Sequence, residues 1–160
     1  MVRPIFTSLL ERAYEERGRN DLSDILGSIK NLGVDEETLK IADQLLNADA
    51  VDHAIQNNEG TLLVVVNSVC GCAAGNMRPG VKLSVTGENK PDHLTTVFAG
   101  VDGEAVAQAR KYFLPYPPSS PSIALFKDGK LVHFLERHHI EGGTAEMIAN
   151  NLAAAYKEFC

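Results

Sequence analysis

The chain has 160 residues and a formal net charge of −6 at pH 7, and 44% of its residues are hydrophobic while 22% are charged. This size and balance are typical of one globular domain with its own core, and they exclude disordered and fibrous proteins. The acidic charge disfavours binding to nucleic acid and to anionic membrane surfaces. We therefore expect a single domain over residues 1–160 that binds neither nucleic acid nor membranes.

Residues 1–59 are predicted to be helical. The apolar run Ile5–Leu10 is too short for the core of a signal peptide, and no segment of the chain approaches the length of a membrane span. Apolar residues recur at helical spacing over Leu22–Ile29, and Gly33 ends this pattern. Two more helices are predicted at Asp35–Leu46 and Asp49–Gln56. These features favour a cytoplasmic protein.

The pattern changes at residue 60. Thr61–Asn67 is continuously apolar and rich in β-branched residues, which predicts a strand buried on both faces. Ala73–Leu83 is predicted to be a helix that Pro79 and Gly80 bend or weaken. A second strand at Leu94–Ala99 follows, and then a helix at Asp102–Phe113.

The last part of the chain begins with the proline-rich loop Leu114–Ser120. Two strands are predicted at Pro121–Phe126 and Leu131–Leu135, because the Asp-Gly pair between them is a strong hairpin signal. Thr144 can cap a final helix. From residue 61 the order is strand, helix, strand, helix, strand, strand, helix. This order predicts an α/β domain with a central mixed β-sheet flanked by helices, on which the additional N-terminal helices pack.

Two of the three cysteines lie between a buried strand and a helix. Cys70 and Cys72 are separated by Gly71, whose backbone freedom suits a tight ring. Free N–H groups and the positive end of the dipole at a helix start favour an anion, so a thiol there is expected to ionise below the usual pKa of about 8.5. One such thiolate can attack a disulfide, and the second can then attack the resulting mixed disulfide. This pattern predicts thiol–disulfide exchange.

Two other interpretations of this cysteine pair stay open. The cysteines can be small buried residues that merely end a strand. They can also be two ligands of a zinc site, which needs about two more ligands. His133, His138, His139 or Cys160 could supply these ligands, although one C-x-C pair is a weak metal signal.

Two further positions are candidates for a role at the site. Ser120 and Pro121 enter a predicted strand, and an X-Pro bond at such a place can be cis, although an ordinary trans proline is the common case. Cys160 ends the sequence, as either an inert terminal thiol or a third redox cysteine.

Several separated blocks of the sequence resemble the bacilliredoxin family. They are Val64–Gly75 with its Cys-Gly-Cys core, Arg78-Pro79, Thr96–Gly100, Pro118–Ser122, Arg137–Gly142 and the terminal Cys160. The resemblance extends over nearly all of residues 60–160, along which these blocks are distributed. The strand, the cysteine pair and the later Ser120–Lys130 segment also resemble thioredoxins, although thioredoxins carry two residues between their cysteines.

The resemblance implies a thioredoxin-like fold and a thiol–disulfide oxidoreductase that needs no cofactor. It implies that Cys70 attacks a mixed disulfide between a protein cysteine and bacillithiol, and that Cys72 or free bacillithiol regenerates it. It also implies that Pro121 is a cis-proline that faces the reactive cysteine. The expected partners are bacillithiolated or disulfide-bonded proteins and bacillithiol. A general disulfide isomerase or reductase is the alternative within the same class.

Overall fold

The computed structural model describes residues 43–160, in which a five-stranded mixed sheet lies between two layers of helices. In chain order the elements are β1 Asp43–Gln44, α1 Ala48–Gln56, β2 Thr61–Asn67, a π-helical turn Ala73–Met77 that continues into α2 Arg78–Ser84, β3 His93–Phe98, α3 Gly103–Tyr112, β4 Ser122–Lys127, β5 Lys130–Leu135, α4 Arg137–Glu141 and α5 Ala145–Phe159. The predicted order from residue 61 is confirmed, with α4 as an addition.

The strands are arranged in the order β1-β3-β2-β4-β5. β1, β3 and β2 are parallel to one another, whereas β4 runs antiparallel to β2 and β5 antiparallel to β4. Every residue of β2 is buried, as its continuous apolar sequence predicts. Asp128 and Gly129 both have positive φ, at 49° and 77°, which is the backbone of a type I′ hairpin turn and confirms the predicted β4–β5 hairpin.

Alternate residues of β2 supply two separate hydrophobic clusters. Leu62, Val64 and Val66 pack against α1 and α3, while Leu63 and Val65 pack against α2 and α5. Helices α2 and α5 of the second layer pack closely because Gly80, at their crossing, has no side chain. A Cβ on Gly80 would lie 2.9 Å from two atoms of Ile148. Gly80 therefore lets α2 approach α5.

One predicted helix is wrong where the structure can be compared with it. Asp35–Leu46 was predicted to be a helix, but Asp43 and Gln44 form a strand that pairs with Thr95 and Thr96 of β3. The next helix begins at Ala48, after Asn47, whose side chain accepts the Ala50 N–H at 2.8 Å. The chain is thus extended just before this N-cap. The predicted helix at Leu22–Ile29 and the first part of Asp35–Leu46 lie outside the described residues.

Candidate active site

The cysteine pair lies where β2 ends and the next helix begins. β2 ends at Asn67, and helical backbone starts at Gly71. The carbonyl of Cys70 already accepts the N–H groups of Ala73 and Ala74, at 3.1 and 3.2 Å. Cys70 is therefore the N-cap residue of the helix, at the end where free N–H groups and the helix dipole favour a negative charge. The predicted placement of the pair between strand and helix is confirmed.

The sulfurs of Cys70 and Cys72 are joined in a disulfide. Both cysteines are half-buried, and Gly71 between them is exposed. A Cβ at Gly71 would meet no atom within 4 Å, and its φ is not positive. The prediction that the ring needs glycine for backbone freedom is therefore wrong. Gly71 faces open space, with no other part of the described structure close to it.

Two hydrogen-bond donors point at the Cys70 sulfur. The Ser68 hydroxyl donates to Cys70 Sγ at 3.2 Å, and the Ala73 N–H donates to the same atom at 3.4 Å. Ser68 lies within the Val64–Gly75 block of the family resemblance, but the sequence assigns it no role. A hydroxyl residue two positions before a candidate cysteine is a weak signal, because serine is common in the loops that follow strands.

A buried polar network fixes the backbone of Ser68. The Asn67 side-chain oxygen accepts the Ser68 N–H at 2.9 Å and Arg78 Nη1 at 3.1 Å. Arg78 Nη1 also donates to the Ser68 carbonyl at 3.3 Å. Because Asn67, Ser68 and Arg78 are all buried, these bonds tie the end of β2 firmly to the start of α2.

The helix that carries the cysteines begins with an irregular turn. The N–H of Arg78 bonds to the carbonyl of Ala73, five residues earlier, which is the spacing of a π-helix. Pro79 follows directly and has no N–H to donate, so a regular α-helical ladder cannot be completed there. The Asn76 side chain in this turn donates to the Ile140 carbonyl of α4 at 3.2 Å. The turn thereby contacts α4, which the sequence interpretation missed.

The loop before β4 reaches the same end of the sheet. Ser122 pairs with Val66, so Pro121 stands level with the end of β2. The Ser120–Pro121 peptide bond is cis, as predicted, and a second cis bond lies at Leu114–Pro115. Ser122 Oγ donates to the Ser119 carbonyl at 3.1 Å, which tightens the turn.

Arg137 holds this loop from α4. Its Nη1 donates to the Ser120 carbonyl at 3.2 Å, and its backbone N–H donates to Ser119 Oγ at 3.4 Å. Its Nε also forms an ion pair with Glu141 at 3.3 Å. Arg137 belongs to the Arg137–Gly142 block of the family resemblance. Its contact with Ser120 is not evident from the sequence, because 17 positions separate the two residues.

The proposed zinc ligands are not assembled around the cysteine pair. His133 Nε2 bonds to Asn151 at 2.7 Å, and His139 Nδ1 accepts the Glu136 N–H in the cap of α4. The rings of His138 and His139 contact each other at a tilt of 42°, with centroids 3.9 Å apart. Within residues 43–160 there is no group of three or more His, Cys, Asp or Glu side chains that could hold a metal ion.

Cys160 lies at the opposite end of the sheet from Cys70. Lys127, which pairs with Thr61 at the start of β2, donates through Nζ to the Phe159 carbonyl at 2.7 Å. The seven residues of β2 span about 20 Å between this end and the cysteine pair. Cys160 is an exposed free thiol, and its N–H bonds to the Tyr156 carbonyl. The structure therefore does not bring Cys160 to the cysteine pair.

Comparison with solved structures gives the fold. The X-ray structure of Fasciola hepatica thioredoxin matches with a TM-score of 0.50 and 20% sequence identity, over 73% of this chain and 98% of the thioredoxin. The match supports a thioredoxin-like arrangement of the sheet and helices. Across residues 43–160, no helix has the length and apolar character that crossing a membrane requires.

Comparison with protein families and curated proteins gives the family. The family model described as "Disulphide isomerase" matches residues 33–160. A bacilliredoxin from Cytophaga hutchinsonii is 60% identical over 115 residues, covering 72% of this chain and 84% of that protein. Bacilliredoxins from Shouchella clausii and Bacillus cereus are 46% and 45% identical, and each covers 94% of this chain and at least 99% of its own length. The chain therefore belongs to the disulphide isomerase family that contains the bacilliredoxins, and it is a thiol–disulfide oxidoreductase.

Proposed function

We propose that this protein removes bacillithiol from protein cysteines, with Cys70 as the nucleophile and Cys72 as the resolving thiol. The observation that carries the proposal is the Cys70 sulfur, which lies at the N-terminal end of a helix and accepts hydrogen bonds from Ser68 and Ala73. Donors of this kind stabilise a thiolate, which is the reactive form of cysteine. The bacilliredoxin relatives favour bacillithiol as the thiol that is removed.

The first step is attack of the Cys70 thiolate on the bacillithiol sulfur of a mixed disulfide. A Cys70–bacillithiol bond forms, the bond between bacillithiol and the protein breaks, and the electron pair leaves on the protein sulfur, which takes a proton from water. Cys72 then attacks Cys70 and expels bacillithiol as a thiolate. Free bacillithiol can alternatively attack the bound bacillithiol sulfur, which releases reduced Cys70 and bacillithiol disulfide.

We further propose that the Ser120–Pro121 segment binds the substrate chain. Pro121 stands level with the end of β2, and the Arg137 guanidinium fixes the Ser120 carbonyl. An extended substrate chain would lie along the backbone of this loop, in the manner of an added strand. The sparse cysteines and the dithiol chemistry suit a reducing compartment, so we place the reaction in the cytoplasm.

The test is release of bacillithiol from a bacillithiolated protein, followed by mass spectrometry of that protein. We expect the reduced enzyme to remove the adduct, and we expect slower removal of glutathione from the same cysteine. Equal rates for both thiols would contradict bacillithiol specificity. The family description also names disulfide isomerisation. Faster recovery of a protein with scrambled disulfides than of a bacillithiolated one would favour that alternative.

A further inference from the structure

We propose that the Ser68 hydroxyl and the Ala73 amide form a two-donor site for the Cys70 thiolate, which makes Ser68 a catalytic residue of the exchange reaction. This inference rests on the proposed function and adds the reason why Cys70, rather than Cys72, is the reactive sulfur. Both cysteines are half-buried near the start of one helix, so the helix dipole alone distinguishes them little. Another group must therefore provide the difference.

The hydrogen bonds supply that difference. In the part of the chain that the structure describes, the bonds from Ser68 Oγ at 3.2 Å and from the Ala73 N–H at 3.4 Å both end on Cys70 Sγ. Neither group donates a hydrogen bond to Cys72. In the disulfide form that the structure shows, one hydroxyl and one amide already point at Cys70 Sγ. A thiolate formed on Cys70 is therefore stabilised by both donors.

The Ser68 backbone is held, so its hydroxyl needs little reorganisation. The Ser68 N–H bonds to Asn67 Oδ1, and its carbonyl accepts Arg78 Nη1. Donors that are already oriented toward a developing charge stabilise that charge most effectively. Arg78 touches the Ser68 carbonyl and the Asn67 side chain, and we infer that it acts as a positioning residue through them.

The same two donors act when the disulfide is reduced. An incoming thiolate attacks Cys72 Sγ, and a bond forms between the incoming sulfur and Cys72. The Cys70–Cys72 bond breaks, and its electron pair stays on Cys70 Sγ, where Ser68 and Ala73 donate. A leaving thiol of lower pKa leaves faster, so these bonds direct the attack toward Cys72.

Ser68→Ala is expected to raise the pKa of Cys70 by roughly one unit, which corresponds to the loss of one hydrogen bond to a thiolate. At a pH below both pKa values the thiolate fraction then falls roughly tenfold. The more basic thiolate is roughly threefold more nucleophilic, so the observed alkylation rate falls only about threefold. The shifted midpoint of the pH profile is therefore a sharper readout than the rate at one pH.

The experiment measures alkylation by iodoacetamide from pH 5 to 10 in the full chain carrying Cys72→Ala and Cys160→Ala, so that Cys70 is the one thiol observed. Ser68→Ala is compared with Ser68→Thr, which keeps the hydroxyl. The matched control is Ser84→Ala, because Ser84 is a buried serine of α2 whose hydroxyl bonds to the Val81 carbonyl and to Tyr156. Circular dichroism and thermal melts establish that each variant is folded.

We expect the midpoint to rise in Ser68→Ala, to return toward the parent value in Ser68→Thr, and to stay unchanged in Ser84→Ala. An unchanged midpoint in folded Ser68→Ala, or equal shifts in the Ala and Thr variants, would overturn the assignment. If the midpoint moves as expected but the parent protein fails to remove bacillithiol from proteins, the proposed function fails while the role of Ser68 stands.

Discussion

The two ends of β2 both carry a cluster of polar groups, but the clusters differ in where their hydrogen bonds go. At the Thr61 end, Asp92 accepts the Thr61 N–H at 2.7 Å and the Thr61 hydroxyl at 2.9 Å. Asp128 accepts the Gly60 N–H at 2.8 Å, and Lys127 donates to the carbonyl of Phe159. These bonds close strand ends and a hairpin, and the nearby Cys160 receives no donor at its sulfur within the described structure.

At the Asn67 end the polar groups converge on a reactive atom. Ser68 and Ala73 donate to the Cys70 sulfur, and Arg137 fixes the Ser120 carbonyl at the same end of the sheet. A polar cluster by itself therefore does not mark a site in this fold. The difference lies in donors that end on a partly accessible thiol rather than on the backbone of a strand.

The largest expected effect separates the cysteines at the two ends. Cys70→Ala should reduce removal of bacillithiol from proteins to the uncatalysed rate, because the attacking thiolate is lost. Cys160→Ala should leave the rate unchanged, since Cys160 lies about 20 Å away at the other end of β2. Release of bacillithiol by the two variants, followed by mass spectrometry, tests this. A comparable loss of rate in Cys160→Ala would show that the two ends act together.

A smaller effect is expected at the loop before β4, which lies at the same end of the sheet as the cysteines. Arg137→Ala removes the donor to the Ser120 carbonyl and should raise KM for a bacillithiolated protein about threefold with little change in kcat. The bond is half exposed, so its contribution is modest. Glu141→Gln is the control, because it removes the Arg137–Glu141 ion pair and keeps the contact with Ser120. Equal effects of both variants would assign the result to α4 rather than to the loop.

The smallest effect is expected on stability alone. Burial raises the pKa of Tyr156 to about 12, and its hydroxyl bonds to Ser84 at 3.1 Å. Tyr156→Phe should lower the free energy of unfolding by about 1 kcal/mol and leave the exchange rate unchanged. The folded pKa is above the unfolded value of about 10, so this tyrosine stabilises the fold below pH 10 and loses that contribution as the pH rises toward 12.

Urea unfolding of the parent and of Tyr156→Phe between pH 7 and 12 measures this. The parent should lose more stability above pH 10 than the variant does. A parallel decline in both proteins would remove Tyr156 as the cause. A changed exchange rate in Tyr156→Phe at pH 7 would contradict the separation between the two ends of β2.

Most of the fold from residue 61 could be predicted because its signals are local. The apolar run of β2, the Asp-Gly turn and the Thr144 cap each specify their own element. β1 could not be predicted in this way. It consists of two residues, and pairing with Thr95 and Thr96 decides their conformation.

The candidate site was predictable to a similar degree. Cys70 and Cys72 were evident from their place between strand and helix, and the cis bond at Pro121 was expected from the family resemblance. Ser68 and Arg137 were not evident. Their importance comes from side-chain directions across a strand end and a loop, and spacing along the sequence does not encode those directions.

The central claim is that Cys70 takes up bacillithiol and Cys72 resolves it, and adduct mapping in Cys72→Ala tests this most directly. The reduced variant is incubated with a bacillithiolated protein, digested without reductant and analysed by peptide mass spectrometry. We predict one bacillithiol adduct, located on Cys70, with Cys160 unmodified. Absence of an adduct, or an adduct on Cys160 with Cys70 free, would contradict the proposed order of attack.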